Sequence, residues 1–268
     1  MENVSQSGGV IGRGGQPMVY LSSQVLARET EPQFALVLSA DQVAALRDGG
    51  VVPGSRISVV DAAQDYFTCE VVSFDETPIC RIATRTQDAL TSAVYLVQGL
   101  CEDEVMDTIV RQTTEIGIAG FSFFTSHFSA HPDPVRYDER RDRWTSLARY
   151  AALQSGQPYL PQVGGIIDLD ATCDLLGRFD AVVLCWEGET RRTMADAVGQ
   201  IKRWGMDRQA DIALVIGPRG GITDGEMARL GSANGRLLTV TLGPAILRVE
   251  TAGIVAPTLL ISALGGLR

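Results

Sequence analysis

Ile216-Gly217-Pro218-Arg219-Gly220-Gly221-Ile222 and, further along, Leu242-Gly243-Pro244-Ala245-Ile246-Leu247-Arg248-Val249-Glu250-Thr251-Ala252 are the two stretches that decide the fold. Each follows a short apolar run, Ile212–Ile216 before the first and Leu237–Thr241 before the second. Such a run reads as a strand buried on both faces. Open α/β sheets bind ligands outside the carboxyl ends of their strands, and glycine there lets backbone amides approach a ligand closely. Neither turn matches GxGxxG or the GxxxxGK phosphate loop, which disfavours a nucleotide-phosphate site of those kinds. Taken singly, each turn also reads as a plain structural turn.

Outward from these turns, strand and helix alternate. Ala93–Val97, Phe121–Phe124, Ala181–Leu184, Ile212–Ile216 and Leu237–Leu242 read as strands. Glu104–Ile116, Tyr137–Ser155 and Thr193–Trp204 read as helices, the second with Trp144, Leu147, Tyr150 and Ala151 on its apolar face. Thr223 with Glu226 three positions on is a capping box that opens another helix. Ile246–Leu264 is read as the last helix. This alternation predicts a mostly parallel sheet covered on both faces. Residues 17–88 have a different texture. Met18–Leu21, Phe34–Leu38, Ile57–Val60, Phe67–Phe74 and Ile79–Thr84 read as short strands, with a helix over Asp41–Arg47. Short strands separated by turns suggest a small barrel. Residues 1–16 are glycine-rich and polar and read as a flexible leader.

The 268 residues are 45% hydrophobic and 21% charged, with a net charge of −9, an ordinary balance for a soluble protein. An acidic chain is not an obvious RNA binder, because phosphate contacts supply most RNA affinity. Lys202 is the only lysine, so almost all positive charge is arginine. The five cysteines, Cys69, Cys80, Cys101, Cys173 and Cys185, form no CxxC pair. They read as buried thiols of a reduced, cytoplasmic protein. His127 and His131 are too few for a histidine-rich metal centre, and no metal is expected. No secretory signal is read at the N-terminus. The longest apolar run, Ile254–Leu264, is interrupted by Pro257 and Ser262 and falls short of the ~20 residues of a membrane span.

Together the two glycine-bearing stretches closely resemble the bacterial 16S ribosomal RNA uridine N3-methyltransferase family of the SPOUT superfamily, whose hallmarks are a GPEGG turn and an LGxxILRxETA segment. Thr114-Glu115-Ile116-Gly117-Ile118 is similar to that family's TELGV, and Gln154-Ser155-Gly156 to its EQSGR. The strand-rich N-terminal part resembles its PUA-like domain. The likeness covers about residues 93–265.

The resemblance implies a parallel α/β domain over residues 89–268, tied in a trefoil knot by its final helix, after a small PUA-like β-barrel over residues 17–88. It implies a homodimer and S-adenosylmethionine bound across the two turns. The residues expected around the cofactor are Leu184, Glu187, Ile216, Gly217, Gly221, Leu242, Gly243, Ile246 and Leu247. The expected substrate is ribosomal RNA or the small ribosomal subunit, methylated at a uridine ring nitrogen. A non-catalytic relative that binds cofactor or RNA, or an enzyme with another RNA acceptor, is the alternative.

The sequence departs from the family mainly at charged positions. Arg219 stands where GPEGG has glutamate. Leu153 and Gln157 replace the acid and the arginine of EQSGR. Gln112 stands for a lysine, with Arg111 adjacent, and Phe128 for an arginine. Methylating an imide nitrogen requires removing its proton, and a base of tuned pKa helps. His127 and Glu115 are candidates, with a solvated surface histidine as the plainer alternative, so no catalytic residue is assigned. Glu250 and Arg248 are expected to pair and fix the final helix. Arg136, Arg140 and Arg143 fall on one face at helical spacing. With Arg141 and Arg149 they make the densest basic region, which reads either as an RNA-phosphate stripe or as a solvated face paired with Asp138, Glu139 and Asp142; Arg111 is also expected to meet RNA.

Overall fold

The computed structural model describes residues 17–63, 65–86, 92–129, 134–157 and 159–267. The expected leader over 1–16 and His131 lie outside the described residues. The chain forms two compact units, one from the described residues of 1–88 and 149–160, the other from those of 89–148 and 161–268.

The first unit holds a five-stranded sheet in the order β1-β3-β4-β5-β2. Its strands are β1 (Met18–Tyr20), β2 (Phe34–Ala35), β3 (Arg56–Val60), β4 (Tyr66–Phe74) and β5 (Pro78–Thr86). β1 runs parallel to β3 and the other pairs are antiparallel. β2 is only two residues long, shorter than the Phe34–Leu38 expected. Helix α1 (Ala40–Asp48) starts at a capping box in which Ser39 and Gln42 satisfy each other's backbone N–H groups. A cap of this kind is worth about 1 kcal/mol. Ile57, Val59, Phe67, Cys69 and Val71 alternate inward along β3 and β4 and pack with Leu36 and Leu46. The Tyr20 hydroxyl donates to the Gln157 carbonyl at 2.8 Å, and Met18, Tyr20 and Val60 pack with Ala152.

The second unit is an all-parallel six-stranded sheet in the order β11-β9-β10-β6-β7-β8. Its strands are β6 (Ala93–Gly99), β7 (Gly120–Phe124), β8 (Gln162–Ile167), β9 (Ala181–Cys185), β10 (Asp211–Ile216) and β11 (Leu237–Val240). Its helices are α2 (Asp103–Glu115), α3 (Tyr137–Ser155, shared with the first unit), α4 (Leu169–Leu176), α5 (Met194–Arg203), α6 (Asp224–Ser232) and α7 (Val249–Ala263). Period-2 alternation sends Leu96, Val183, Ile212 and Leu214 to one face, where Met106, Ile109, Ile201 and Leu260 cover them. Val97, Val182, Leu184, Ala213 and Val215 go to the other, under Leu176 and Leu230. A sheet buried on both faces needs apolar residues at every position, hence its near-continuous hydrophobic strands. Trp144 of α3 is fully buried, its ring 4.3 Å from that of Phe123.

Several expectations are corrected. Tyr150 is 59% exposed, because Ala148, Ala151 and Ala152 with Trp144 make the buried face of α3. The last helix begins at Val249, with Arg248 extended at φ −62° and ψ 152° as its N-cap, so residues 246–248 are a loop. Arg248 and Glu250 form no ion pair among the described residues. The apolar face of α7 is covered by α2, α5, β6 and β10, so its hydrophobicity does not by itself call for a second chain. Leu259 is its large exposed apolar side chain. Among the described residues no helix is long and apolar enough to cross a membrane, and no cluster of three metal-ligating side chains occurs. The cysteines are free: Cys69, Cys80 and Cys101 are buried, while Cys173 and Cys185 are only partly so.

Candidate cofactor cavity

The parallel strands β9, β10 and β11 end on one side of the sheet, and the chain leaving each forms a wall of a single cavity of about 600 Å³. β9 delivers Cys185, Trp186, Glu187 and Glu189. β10 delivers Ile216 and the turn with Gly217, Pro218, Arg219 and Gly221. β11 delivers Thr241 and the loop Leu242–Leu247, with Val249 and Ala252 of α7 behind it.

Each wall is fixed by identifiable bonds. Gln98, fully buried at the end of β6, donates from Nε2 to the Gly217 carbonyl at 3.1 Å and holds the glycine turn from beneath. The turn closes through the Gly221 N–H to the Pro218 carbonyl at 2.9 Å. Gly221 has φ +80°, a left-handed conformation that other residues adopt only at a cost. Thr223 and Glu226 then cap α6 as the sequence indicates. The loop after β9 is stapled by Glu189. Its carboxylate accepts the N–H groups of Arg191 at 2.8 Å and Arg192 at 3.2 Å, and the Thr239 hydroxyl at 2.9 Å. These donors hold its pKa down at about 2. Burial pushes the Cys185 thiol up to about 12, so it stands in the wall as a neutral group.

Eight of the nine expected cofactor residues line this cavity: Glu187, Ile216, Gly217, Gly221, Leu242, Gly243, Ile246 and Leu247. Leu184 does not. It is 0% exposed and points to the opposite face of the sheet, because successive strand side chains alternate. Its neighbour Cys185 lines the cavity instead. Ile246 reaches the cavity but is 89% exposed, which follows from its place in a loop rather than a helix. Trp186, Glu189, Thr241 and Ala252, not among the expected residues, also line the cavity. The bare run Cys185-Trp186-Glu187-Gly188-Glu189 carries no motif, and only its position after a buried strand marks it.

The charged residues are arranged differently from the expected stripe. Arg136 lies in a 3-10 turn before α3 and pairs with Glu139 at 3.3 Å. The Arg140 side chain is 13% exposed and pairs with Asp103 of α2 at 2.6 Å, so in this structure it ties two helices together. Arg143 pairs with Asp107. Arg141 takes Asp138 and Asp142 at 3.5 and 3.6 Å. Arg111 is exposed on α2. Arg219, in the cavity wall, pairs with Glu102 at 3.2 Å. His127 is exposed on the loop after β7, where its backbone N–H donates to Glu226 Oε1 at 2.7 Å. Glu115 closes α2.

A parallel sheet with a cavity slung between two glycine-bearing turns is the frame of an enzyme that holds a small cofactor, and residues 88–261 match the family model of the RNA methyltransferase domain. The chain belongs to that family of RNA methyltransferases. It is similar to ribosomal RNA small subunit methyltransferase E of Bacillus subtilis (strain 168), 29% identical over 204 residues that cover 74% of this chain and 78% of that protein. The protein of the same name from Mycobacterium tuberculosis is 30% identical over 168 residues, covering 61% of this chain and 60% of its own length. In fold, the chain is similar to a crystal structure of ribosomal RNA small subunit methyltransferase E from Neisseria gonorrhoeae bound to S-adenosyl methionine. The TM-score is 0.68 at 22% identity, covering 92% of this chain and 97% of that one.

Proposed function

We propose that the protein is an S-adenosylmethionine-dependent methyltransferase that acts on the N3 nitrogen of a uridine in 16S ribosomal RNA. The observation that carries the reading is the cavity at the ends of β9, β10 and β11. It combines apolar walls, exposed backbone on two turns and a carboxylate, the mixture that an adenosine with an amino-acid tail requires. Ile216, Leu242 and Leu247 suit the adenine, while Gly217, Gly221 and Gly243 leave backbone open to polar atoms. Glu187 finds no partner among the described residues and suits the ammonium of the methionine end. When bound, the cofactor supplies a methyl group on a sulfonium, ready for a nucleophile.

The chain's own part is to hold the uracil in line, since positioning supplies much of such a rate, and to accept the N3 proton. His127, on the loop beside the glycine turn, and Glu115 are the groups to test for that proton. Arg111, Arg136 and Arg143 are assigned to RNA phosphates. The reading includes a trefoil knot around α7, a PUA-like barrel in the first unit, a homodimer formed through the knotted domain, and a cytoplasmic setting with the small ribosomal subunit as partner.

The test is mass spectrometry of ribosomal RNA from cells with and without the protein, beside calorimetry with S-adenosylmethionine. A methyl group lost from a uridine of the small-subunit RNA on deletion is the expected result. Cofactor binding with methylation of a different RNA would move the acceptor. No cofactor binding would refute the reading.

A further inference from the structure

Phe128 is 48% exposed, yet its position is fixed. Its Cβ lies on Gly220, so closely that a β-carbon at 220 would come within 2.6 Å of it. Gly220 stands between Arg219 and Gly221, both of which line the cavity. The loop bearing Phe128 is held on both sides. Ser126 donates its N–H to Ser129 Oγ at 2.9 Å, and Ser129 returns its N–H to the Ser126 carbonyl at 3.1 Å. The His127 N–H is anchored on Glu226, which also caps α6. The His127 ring meets Phe128 edge-on, with centroids 4.7 Å apart. An apolar ring left half in water, on a loop with this many fixed points, is pre-organised for a flat partner.

We infer that Phe128, braced by His127 and Gly220, is the platform on which an unpaired RNA base stacks beside the cofactor cavity. This rests on the reading of the protein as an RNA methyltransferase that uses that cavity. Unpaired RNA bases are recognised by stacking on aromatic side chains and by hydrogen bonds to their edges. Stacking also suits a chain of net charge −9, because it needs no cationic surface. Arg219, one residue from Gly220, is exposed and pairs with Glu102 at 3.2 Å, a surface pair that a nucleotide's phosphate would compete for.

The experiment uses the full chain and a labelled single-stranded oligouridylate, with binding followed by anisotropy at several salt concentrations. Phe128→Ala is expected to bind about tenfold more weakly, the scale of one base–aromatic stack. Phe128→Trp is expected to bind at least as tightly as the parent. The slope of log affinity against log salt should be the same in all three, because a stack releases no counterions. Affinity for S-adenosylmethionine, measured on the same samples, should not change. Phe128→Ala binding within twofold of the parent, or a flattened salt slope, overturns the platform and leaves the cofactor reading standing. A change of molecular mass in light scattering without a change in RNA affinity also overturns it, by showing that the ring serves a protein contact. No oligouridylate binding by the parent overturns it as well. Loss of cofactor binding in the parent would instead remove the functional reading on which it rests.

Discussion

The carboxylate of Glu187 rests on the α-carbon of Gly221, so that a β-carbon at 221 would come within 2.4 Å of Glu187 Oε1. Gly221 also has φ +80°. Gly221→Ala therefore meets two costs. The left-handed backbone alone costs an L-residue about 1–2 kcal/mol. Glu187 must also leave its place in the cavity wall. The expected result is that loss of stability by denaturant titration, together with an affinity for S-adenosylmethionine about tenfold weaker by calorimetry. Gly225→Ala is the control. A β-carbon there meets nothing within 4 Å, so neither cofactor affinity nor stability should fall. Equal effects at 221 and 225 would count against a constrained turn.

Gln98 supports the same turn from below, and its amide is only half satisfied. Nε2 reaches the carbonyls of Gly99 and Gly217, while the buried Oε1 finds no partner among the described residues. Gln98→Met keeps the volume, removes the donor and also removes the unpaired oxygen. A lost hydrogen bond costs about 1 kcal/mol, and an unpaired buried acceptor about as much or more. The two effects oppose, so stability is expected to change by less than about 1 kcal/mol. Cofactor affinity should still fall severalfold, because the Gly217 carbonyl is no longer held. A stability loss without an affinity loss would show that Gln98 serves the sheet and not the turn.

Much of this frame is legible in the sequence because its signals are local. The strands over Ala93, Phe121, Ala181, Ile212 and Leu237 are apolar runs, and Thr223 with Glu226 is a cap with a known partner. What escaped has a physical reason in each case. β8 carries Gly164 and Gly165 and follows Pro161, a composition that reads as a turn. α4 has eight residues, too few for a helical period to stand out. Ile246 and Leu247 are apolar and continue the helical pattern backwards, yet they form a cavity loop ahead of α7. Leu184 is next in sequence to a cavity residue, Cys185, but the pleat turns it to the other face of the sheet. The arginines of α3 read as a stripe because spacing shows which residues share a face, but not which acids on α2 stand opposite.

Glu189 makes the cavity wall sensitive to acid. Its pKa falls from an ordinary 4.5 to about 2 because the Arg191 and Arg192 N–H groups and the Thr239 hydroxyl all donate to the ionised form. A carboxyl depressed on folding stabilises the structure fully above its unfolded pKa. That contribution is lost as pH falls through the folded value. The loop should therefore loosen between about pH 4.5 and about pH 2. Trp186 reports on it, since its N–H donates to the Val240 carbonyl at 3.1 Å and its carbonyl accepts the Glu189 N–H at 3.1 Å. Tryptophan fluorescence should shift over that window in the parent. In Glu189→Gln this component should be missing, with weaker cofactor binding already at neutral pH. An identical acid titration in the two proteins would exclude Glu189 as the staple.

Arginines that hold the fold and arginines that bind RNA should respond differently to substitution. The Arg140 side chain is 13% exposed and ion-paired with Asp103 at 2.6 Å, and its buried Nε and Nη1 find no hydrogen-bond partner among the described residues. A guanidinium so placed cannot fork onto a phosphate without leaving Asp103. Arg140→Ala should therefore destabilise the protein by about 2 kcal/mol, the scale of leaving a partly buried carboxylate without its partner, measured by denaturant titration. Lysine should rescue part of this loss, since only one guanidinium nitrogen, Nη2, meets Asp103 and an ammonium can replace a single contact. The folded variant should bind oligouridylate with the parent's salt slope. Arg111→Ala and Arg136→Ala should do the reverse, with stability nearly unchanged and the log–log salt slope flattened by about one unit for each phosphate contact removed. If Arg140→Ala flattens the slope while stability holds, the ion pair opens for RNA and Arg140 belongs to the phosphate-binding surface after all.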